Sequence, residues 1–159
     1  MAAMPERFPD LTVRPMLDAD VDACARIIGE TPLWRDRYGI STARCQALLQ
    51  AAMTRNDGLL VAHDVQEVVG FAWFITKGAF GRSGYLRMLA VRSDRQNRSA
   101  GASLLQAVES AAGDDLFVLV SDFNTDARRF YQRHGYGEVG QLNGYVLPEV
   151  NEVVLWRRK

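Results

Sequence analysis

Residues 86–105 read Leu-Arg-Met-Leu-Ala-Val-Arg-Ser-Asp-Arg-Gln-Asn-Arg-Ser-Ala-Gly-Ala-Ser-Leu-Leu and carry the most informative pattern in the chain. The mostly apolar residues 86–91 predict a strand, and the polar residues 93–99 predict a short loop. Small residues then open a helix with apolar periodicity. Because this loop and helix start combine many backbone N–H groups with little side-chain bulk, they predict a cradle for a phosphorylated ligand.

Length and composition narrow the class of protein. A chain of 159 residues is long enough to bury a core and short enough for one domain, which we place at 11–159 after a loose tail at 1–10. The formal net charge is zero, so no basic excess favours nucleic acid or an anionic membrane as a partner. With no run of about 18 apolar residues and no signal-peptide pattern, we expect a cytoplasmic protein with no membrane partner.

The two cysteines, Cys24 and Cys45, are too few for a disulfide framework. Both fall within helical patterns of apolar residues, which predicts buried and reduced thiols. The sequence contains no cluster of His and Cys residues with metal-ligand spacing, so we expect no metal site.

The order of predicted elements is β-α-α-β-β-β-α-β-α-β-β, which indicates a mixed α/β domain. Hairpin spacing makes the strands between residues 59 and 91 antiparallel neighbours, and the wholly apolar strand 116–120 is typical of a buried central position. Asp18 is the predicted cap of the first helix, and Ser41 or Thr42 that of the second. The predicted strands are 11–15, 59–63, 67–76, 84–91, 116–120, 136–141 and 150–157, and the predicted helices are 18–28, 42–55, 99–112 and 124–134.

A second motif is Asn124-Thr-Asp-Ala-Arg-Arg-Phe-Tyr-Gln-Arg-His-Gly-Tyr136. It resembles the Asn-x-x-Ala-x-x-(apolar)-Tyr-x-x-x-Gly-(aromatic) signature of the GNAT superfamily of acetyl-CoA-dependent N-acyltransferases. Residues 96–101, Gln-Asn-Arg-Ser-Ala-Gly, resemble the pyrophosphate loop of that superfamily, Gln/Arg-x-x-Gly-x-Gly/Ala. Ser99 stands where the first glycine usually is, so the loop keeps its shape at little cost only if the φ of Ser99 is not positive.

The resemblance covers about residues 11–158 and implies the GNAT fold, a central, mostly antiparallel, splayed sheet flanked by helices. It implies acetyl-CoA as cofactor, with its arm lying along the strand before the loop. A bulge near Met88 and Leu89 would expose an N–H that stabilises the oxyanion of the reaction, a role we assign to Leu89. The cofactor-binding residues that the resemblance implies are Leu89, Ala90, Val91, Gln96, Asn97, Arg98, Ser99, Ala100, Gly101, Ala102, Ser103, Asn124, Ala127 and Tyr131.

The resemblance also implies a general acid. When an amine attacks a thioester a thiolate must leave, and a tyrosine hydrogen-bonded to the sulfur can donate its proton as the C–S bond breaks. Tyr131 is the candidate for this role, since Asn124 and Ala127 place it on the cofactor-lining face of its helix. The alternative is a tyrosine that only packs with Phe130 in the core.

The acceptor side of the site is less defined by sequence. Residues 29–40 are irregular, and we expect Glu30, Trp34, Tyr38 and the strand residue Tyr85 to contact the substrate. Members of the superfamily often have a glutamate or histidine early in the strand before the loop, where this chain has Tyr85 and Arg87. The general base therefore stays open among Glu30, Asp36, His63 and a water relay through Tyr85.

The sequence thus predicts an enzyme that moves an acetyl group from acetyl-CoA to a primary amine, of a small molecule or a peptide, within a ternary complex. The alternative is an acyl-CoA-binding or sensor domain that keeps the fold without the chemistry. Superfamily members often pair, so a homodimer is one of the assembly states left open.

Overall fold

A computed structural model describes residues 11–96, 99–113 and 115–158. The predicted tail at 1–10 lies outside the described residues, as do the loop residues Asn97 and Arg98. Within the described ranges, the chain forms seven strands and four α-helices in the order β-α-α-β-β-β-α-β-α-β-β. The strands are β1 (Thr12–Pro15), β2 (Gly58–His63), β3 (Val68–Ala79), β4 (Ser83–Val91), β5 (Asp115–Ser121), β6 (Gly137–Asn143) and β7 (Asn151–Arg158), and the helices are α1 (Val21–Glu30), α2 (Thr42–Thr54), α3 (Ala100–Ala111) and α4 (Thr125–Arg133).

The strands form one sheet in the order β1-β2-β3-β4-β5-β7-β6. Every neighbouring pair is antiparallel except β4 and β5, which are parallel. The mixed, mostly antiparallel sheet that the sequence predicts is therefore confirmed. Because β7 lies between β5 and β6, the start of β7 comes to lie beside the end of β5.

Helices cover the two faces of the sheet unequally. Helix α3 and part of α4 pack on one face, the α3 face, where Leu104, Leu105 and Tyr131 join a core with Leu86 and Val118. Helices α1 and α2 pack on the other, the α1–α2 face. Within the described residues, the core under α1 and α2 reaches only β2, β3 and β4.

The uneven cover changes the predicted environment of β5. Leu116, Val118 and Val120 are buried on the α3 face, whereas Phe117 and Leu119 on the opposite face are only half-buried. The central position predicted for this strand is confirmed, since β5 lies between β4 and β7, but its burial is complete on the α3 face only. Burial on the second face requires a covering helix, and α1 and α2 end their cover at β4.

The start of α1 also differs from prediction. The buried stripe of Val21, Cys24 and Ile28 is confirmed, but residues Asp18–Asp20 form a 3₁₀ turn and the α-helix begins at Val21. The carboxylate at the helix start is Asp20 rather than Asp18: Asp20 Oδ2 accepts the N–H of Leu17 at 2.8 Å. For α2, the Ser41 hydroxyl accepts the Arg44 N–H at 3.1 Å, which makes Ser41 the cap.

Cys24 and Cys45 lie buried and unbridged between α1 and α2. Burial raises the pKa of Cys24 to about 12 and that of Cys45 to about 11, so both thiols stay protonated at neutral pH. No helix in the described part of the chain is long and apolar enough to cross a membrane.

Candidate active site

The sheet splits between β4 and β5. These parallel strands pair through Gly84 with Leu116, Tyr85 with Phe117 and Leu86 with Val118. Beyond that point β4 runs on to Val91 and β5 to Ser121, with no further pairing between them in the described residues. The split leaves the second edge of β4 open at Leu89 and Val91, whose backbone N–H and C=O groups point away from β3. The N–H of Arg92 donates to the Val69 carbonyl of β3, and the backbone groups of Ala90 point the same way, toward Phe71.

A bulge re-aims the side chains of β4 at the split. Trp73 pairs with Met88 and Phe74 with Leu86, so Arg87 is the extra residue. As a result Leu86 packs into the core of the α3 face while Met88 packs into that of the α1–α2 face. The sequence placed the bulge near Met88 and Leu89; the structure corrects it to Arg87, whose guanidinium lies 4.1 Å over the Trp73 ring.

The start of α3 lies beside the gap and offers free donors. Ser99, the residue before the helix, has φ +66° and ψ 1°, and its side chain makes no capping hydrogen bond within the described residues. The first N–H to bond within the helix is that of Ser103, to the Ser99 carbonyl at 2.9 Å. The N–H groups of Ala100, Gly101 and Ala102 therefore have no acceptor in the helix.

Ser99 thus holds the left-handed conformation that the superfamily's glycine would adopt freely. For a residue with a Cβ this costs about 1–2 kcal/mol. The condition for a low-cost replacement of the glycine, a φ that is not positive, is therefore not met, and the backbone is strained at Ser99. Gln96 is turned back toward the strand, where Nε2 donates to the Val91 carbonyl at 3.4 Å.

Two arginines that sequence reasoning missed anchor the loop. Arg92 directly follows β4 and Arg95 ends the 3₁₀ turn Ser93–Arg95, and both pair with carboxylates of the β2–β3 connection. Arg92 contacts Glu67, and Arg95 Nη2 lies 3.5 Å from Asp64 and 3.4 Å from Glu67. These ion pairs hold residues 92–95, which precede the loop, against the β2–β3 connection. The sequence signal was the arginine pair itself, three residues apart.

Helix α4 brings the second motif against α3. Asn124 Oδ1 accepts the Ala127 N–H at 3.2 Å, so Asn124 caps the helix. The Tyr131 ring is 6% exposed and packs edge-on against Phe130 and Tyr136 at 5.1 and 5.4 Å. Its hydroxyl has no hydrogen-bond partner among the described residues, and burial raises the pKa of Tyr131. The ring is a core residue, and the hydroxyl is protonated and unengaged.

On the α1–α2 face, side chains from four elements meet past the split. The Tyr38 hydroxyl donates to Glu152 Oε1 at 2.5 Å and is hydrogen-bonded to the Ser121 hydroxyl. Ser121 and Glu152 are partners in the β5–β7 register. Burial first, then the bond to Glu152, raises the pKa of Tyr38 to about 12. Burial also raises the pKa of Tyr85, to which the charge of Glu152 contributes.

Three of the four acceptor-side residues predicted from sequence therefore belong to this region. Trp34 lies within the π-helical turn Leu33–Arg37, and its ring centroid is 5.7 Å from that of Tyr38, the residue after the turn. Glu30 is different: it is exposed at the end of α1 and has no hydrogen bond to any of the others in the described residues. Ser121 and Glu152 were missed. The one signal for Glu152 was a lone acid inside the apolar strand 150–155.

Asp36 and His63, two of the candidates for the general base, both interact with neighbouring groups in the chain. Asp36 is exposed, and its hydrogen bond from Arg35 at 2.8 Å lowers the pKa of its carboxyl, which makes it a weaker base. His63 Nδ1 lies 2.9 Å from the Asp64 carbonyl oxygen. Within the described residues, no group of three metal-ligating side chains comes together.

A sheet split at its one parallel pair, with an uncapped helix N-terminus beside the gap, is the architecture of the acyl-CoA-dependent acyltransferases. The chain belongs to the GNAT family of acetyltransferases, whose family model matches residues 27–136, more than half of the sequence. It is therefore a transferase, and its family uses acetyl-CoA as cofactor.

Solved structures agree on the fold. An acetyltransferase from Thermus thermophilus is 21% identical with a TM-score of 0.77, covering 96% of this chain and 99% of its own. YncA from Salmonella typhimurium, solved with its cofactor acetyl-CoA, is 18% identical with a TM-score of 0.73, and the match covers 93% of each chain. The PaiA N-acetyltransferase from Thermoplasma acidophilum, in complex with coenzyme A, is 15% identical with a TM-score of 0.73, and the match covers 94% of this chain and 99% of that one. No curated protein matches the chain.

Proposed function

We propose that this chain is an N-acetyltransferase that moves the acetyl group of acetyl-CoA to a primary amine while both substrates are bound. The observation that carries the proposal is the gap between β4 and β5, which separates two differently built regions. The free N–H groups of α3 lie on one face of the sheet, and the hydroxyls and carboxylate around Tyr38 lie on the other. A cofactor and an acceptor that approach from opposite faces meet at such a gap.

The residues at the start of α3 fit a pyrophosphate. Its charge is stabilised by the free N–H groups of Ala100, Gly101 and Ala102 and by the positive end of the helix dipole. Gly101 has no side chain to cover these N–H groups, and an added Cβ would be in ordinary contact with Phe130 Cζ at 3.5 Å, whereas a longer side chain would occupy the space of the phosphates. We assign the remaining loop contacts to Gln96, Asn97, Arg98, Ser99 and Ser103, with Asn124, Ala127 and Tyr131 along α4.

The open edge of β4 suits the extended arm of the cofactor, which carries amide groups and ends in the thioester that activates the acetyl group. Leu89 and Val91 supply backbone donors and acceptors on that edge, and we assign to Ala90, between them, a contact with the arm that does not use its backbone polar groups. We assign the oxyanion donor to the N–H of Leu89. Removing one such donor from an acyl-transfer site costs about 10²–10³-fold in rate.

Tyr131 serves as the general acid. The amine nitrogen forms a bond to the acetyl carbon, the C–S bond breaks with its electron pair on sulfur, and the sulfur takes the Tyr131 proton. The phenolate regains a proton as the new amide nitrogen loses one, so the tyrosine ends as it began. The elevated pKa of Tyr131 keeps its hydroxyl protonated until a thiolate is there to receive the proton.

An acceptor panel tests the function. The protein is incubated with acetyl-CoA and, separately, butylamine, spermidine, lysine amide and a tetrapeptide with a free N-terminus, and free thiol is measured. We expect thiol release with at least one amine, and an acetylated product of matching amount by mass spectrometry. Binding of acetyl-CoA with no thiol release above background for any amine, from pH 6 to 10, would favour the sensor alternative instead.

A further inference from the structure

Glu152 differs from the other buried acids of this protein. It is 3% exposed, and the described residues include no cationic group within ion-pair distance of it. Asp20 and Asp64 are buried to a similar extent, and each has an arginine, Arg14 at 2.6 Å and Arg95 at 3.5 Å. An ionised carboxylate in such surroundings is costly unless it is paired. Glu152 is therefore a buried acid whose counter-charge is not supplied by its neighbours.

The hydrogen bonds at Glu152 come from neutral groups and engage one oxygen only. A tyrosine hydroxyl has a single proton, and that of Tyr38 is donated to Glu152 Oε1. Ser121 must therefore donate its own proton to the Tyr38 oxygen, which gives a one-way chain from Ser121 through Tyr38 to Glu152. Oε2 accepts no hydrogen bond from any described residue. One oxygen is held in place, and the other is free for a donor from outside.

The position of Glu152 matches the acceptor side of the gap. It faces the α1–α2 side together with Ser121, the last residue of β5 and three residues beyond the final β4–β5 pair. Tyr85 of β4 is near enough that the charge of Glu152 raises its pKa. The carboxylate thus lies past the split, on the face of the sheet opposite the start of α3.

We infer that Glu152 is the general base of the transfer: its Oε2 receives the ammonium group of a cationic primary amine and takes one proton from it. The inference rests on the proposed function and deepens it, because it selects acceptors that arrive as ammonium ions. An alkyl ammonium brings both the missing counter-charge and a hydrogen-bond donor. Trp34, 5.7 Å from Tyr38, adds an aromatic face of the kind that attracts cations.

The proton balance is complete without a further reactant. The ammonium nitrogen gives one proton to Glu152, and its freed electron pair forms the bond to the acetyl carbon. The protonated carboxyl then returns that proton to solvent after the product leaves. The second nitrogen proton is the one that restores Tyr131.

Two tyrosines interact with Glu152: Tyr38 from the α1–α2 connection by a hydrogen bond, and Tyr85 from β4 through charge. The charged and titratable groups that act on these tyrosines are Arg37 at Tyr38, and Arg87 and Tyr145 at Tyr85. Both arginines are engaged with aromatic rings, Arg37 with Phe123 and Arg87 with Trp73. Because the pKa values of Tyr38 and Tyr85 are raised, these phenols stay neutral near pH 7. The two phenols therefore do not act as bases near pH 7 in the unligated site.

The test is Glu152→Gln, compared with Glu109→Gln. Glu109 is the matched control because it also accepts a tyrosine hydroxyl, that of Tyr136 at 3.0 Å, but on α3 and close to Arg157. With the best amine of the panel, we expect Glu152→Gln to lower kcat/KM at pH 7 by about 10²–10⁴-fold. The loss should shrink toward pH 10 as the amine deprotonates by itself. Glu109→Gln should stay within about threefold of wild type, as expected of a residue outside the site.

The outcomes separate the base from the function. A wild-type protein without transfer to any amine removes the proposed function. A wild type that transfers, with Glu152→Gln equally active at pH 7 or deficient by a constant factor at all pH values, overturns the inference alone. If Glu152→Gln does not fold, Tyr38→Phe replaces it: without the donor that holds Oε1, kcat/KM should fall at pH 7 and the loss should shrink toward pH 10, and an unchanged kcat/KM at pH 7 overturns the inference.

Discussion

The Tyr38 hydroxyl donates a hydrogen bond to Glu152 Oε1 at 2.5 Å although 114 residues separate the two in the chain. Tyr38 follows the π-helical turn between α1 and α2, and Glu152 is the second residue of β7. The bond joins the α1–α2 connection to the β5–β7 end of the sheet, across the gap beside β4. It therefore links the two sides of the proposed acceptor site.

The start of α3 gives a direct test of cofactor binding. Gly101→Glu should abolish thermal stabilisation by coenzyme A, because it adds bulk and like charge where the pyrophosphate meets the helix. Gly101→Ala is the control: its Cβ would be in ordinary contact with Phe130, so folding and binding should persist. Melting curves without ligand measure the folding of each variant, and curves with coenzyme A and with pantetheine, which lacks the pyrophosphate, measure ligand binding. Equal stabilisation by pantetheine would contradict the pyrophosphate site.

Tyr131→Phe should lower kcat by about 10²–10⁴-fold, as expected when a general acid is removed. Affinity for coenzyme A should change little, because the ring and its packing remain. Tyr136→Phe is the control. It loses the hydrogen bond to Glu109, which costs about 1.5–3 kcal/mol of stability, while kcat is retained. Steady-state rates and urea titrations separate the two variants, and a fully active Tyr131→Phe would return Tyr131 to a packing role.

Ser99 carries a conformational cost that a glycine removes. Ser99→Gly relieves the left-handed strain of about 1–2 kcal/mol and loses about 0.5–1 kcal/mol through a more flexible unfolded chain. We expect a stability gain of up to about 1.5 kcal/mol, with coenzyme A affinity kept. Ser99→Val should do the reverse, since a β-branched residue fits positive φ poorly. Urea unfolding measures the stability of both variants. A valine variant as stable as wild type, with unchanged affinity for coenzyme A, would contradict the strain at Ser99.

The ion pair of Asp20 with Arg14 should make part of the folding stability depend on pH. The hydrogen bond from Arg14 lowers the pKa of its carboxyl, helped by the Leu17 N–H. Because the folded-state pKa is below the unfolded one, the contribution is full above about pH 4 and is lost as pH falls through the lower folded value. Asp20→Asn should cost about 1–3 kcal/mol at pH 7.

The cost of Asp20→Asn should also fade on acidification below about pH 4, where the wild-type carboxyl becomes protonated as well. Asp18→Asn is the control, since Asp18 is exposed and should stay within about 0.5 kcal/mol of wild type at every pH. Chemical unfolding at several pH values gives both differences. A cost that does not depend on pH would show that the charge of Asp20 is not involved.

Local chemistry in the sequence determined most of the architecture. Periodicity and turn residues predicted the strands and helices, and the small residues at 100–103 together with the 124–136 motif indicated the cofactor side. These features are readable because they depend on neighbours a few positions apart: a helix N-terminus, a capping Asn124, a left-handed Gly135. The sequence also showed Ser99 in the place of a glycine, but whether that residue is strained depends on its φ, which only the structure gives.

Long-range placement decided the rest. The bulge falls at Arg87 because the register of β3 against β4 sets it, and no local signal marks one residue over the next. The face of β5 away from α3 is only partly buried because the cover of α1 and α2 stops at β4. Glu152 meets Ser121 and Tyr38 only because β7 inserts between β5 and β6. A carboxylate's role depends on what surrounds it, and these surroundings come from residues 31 and 114 positions away.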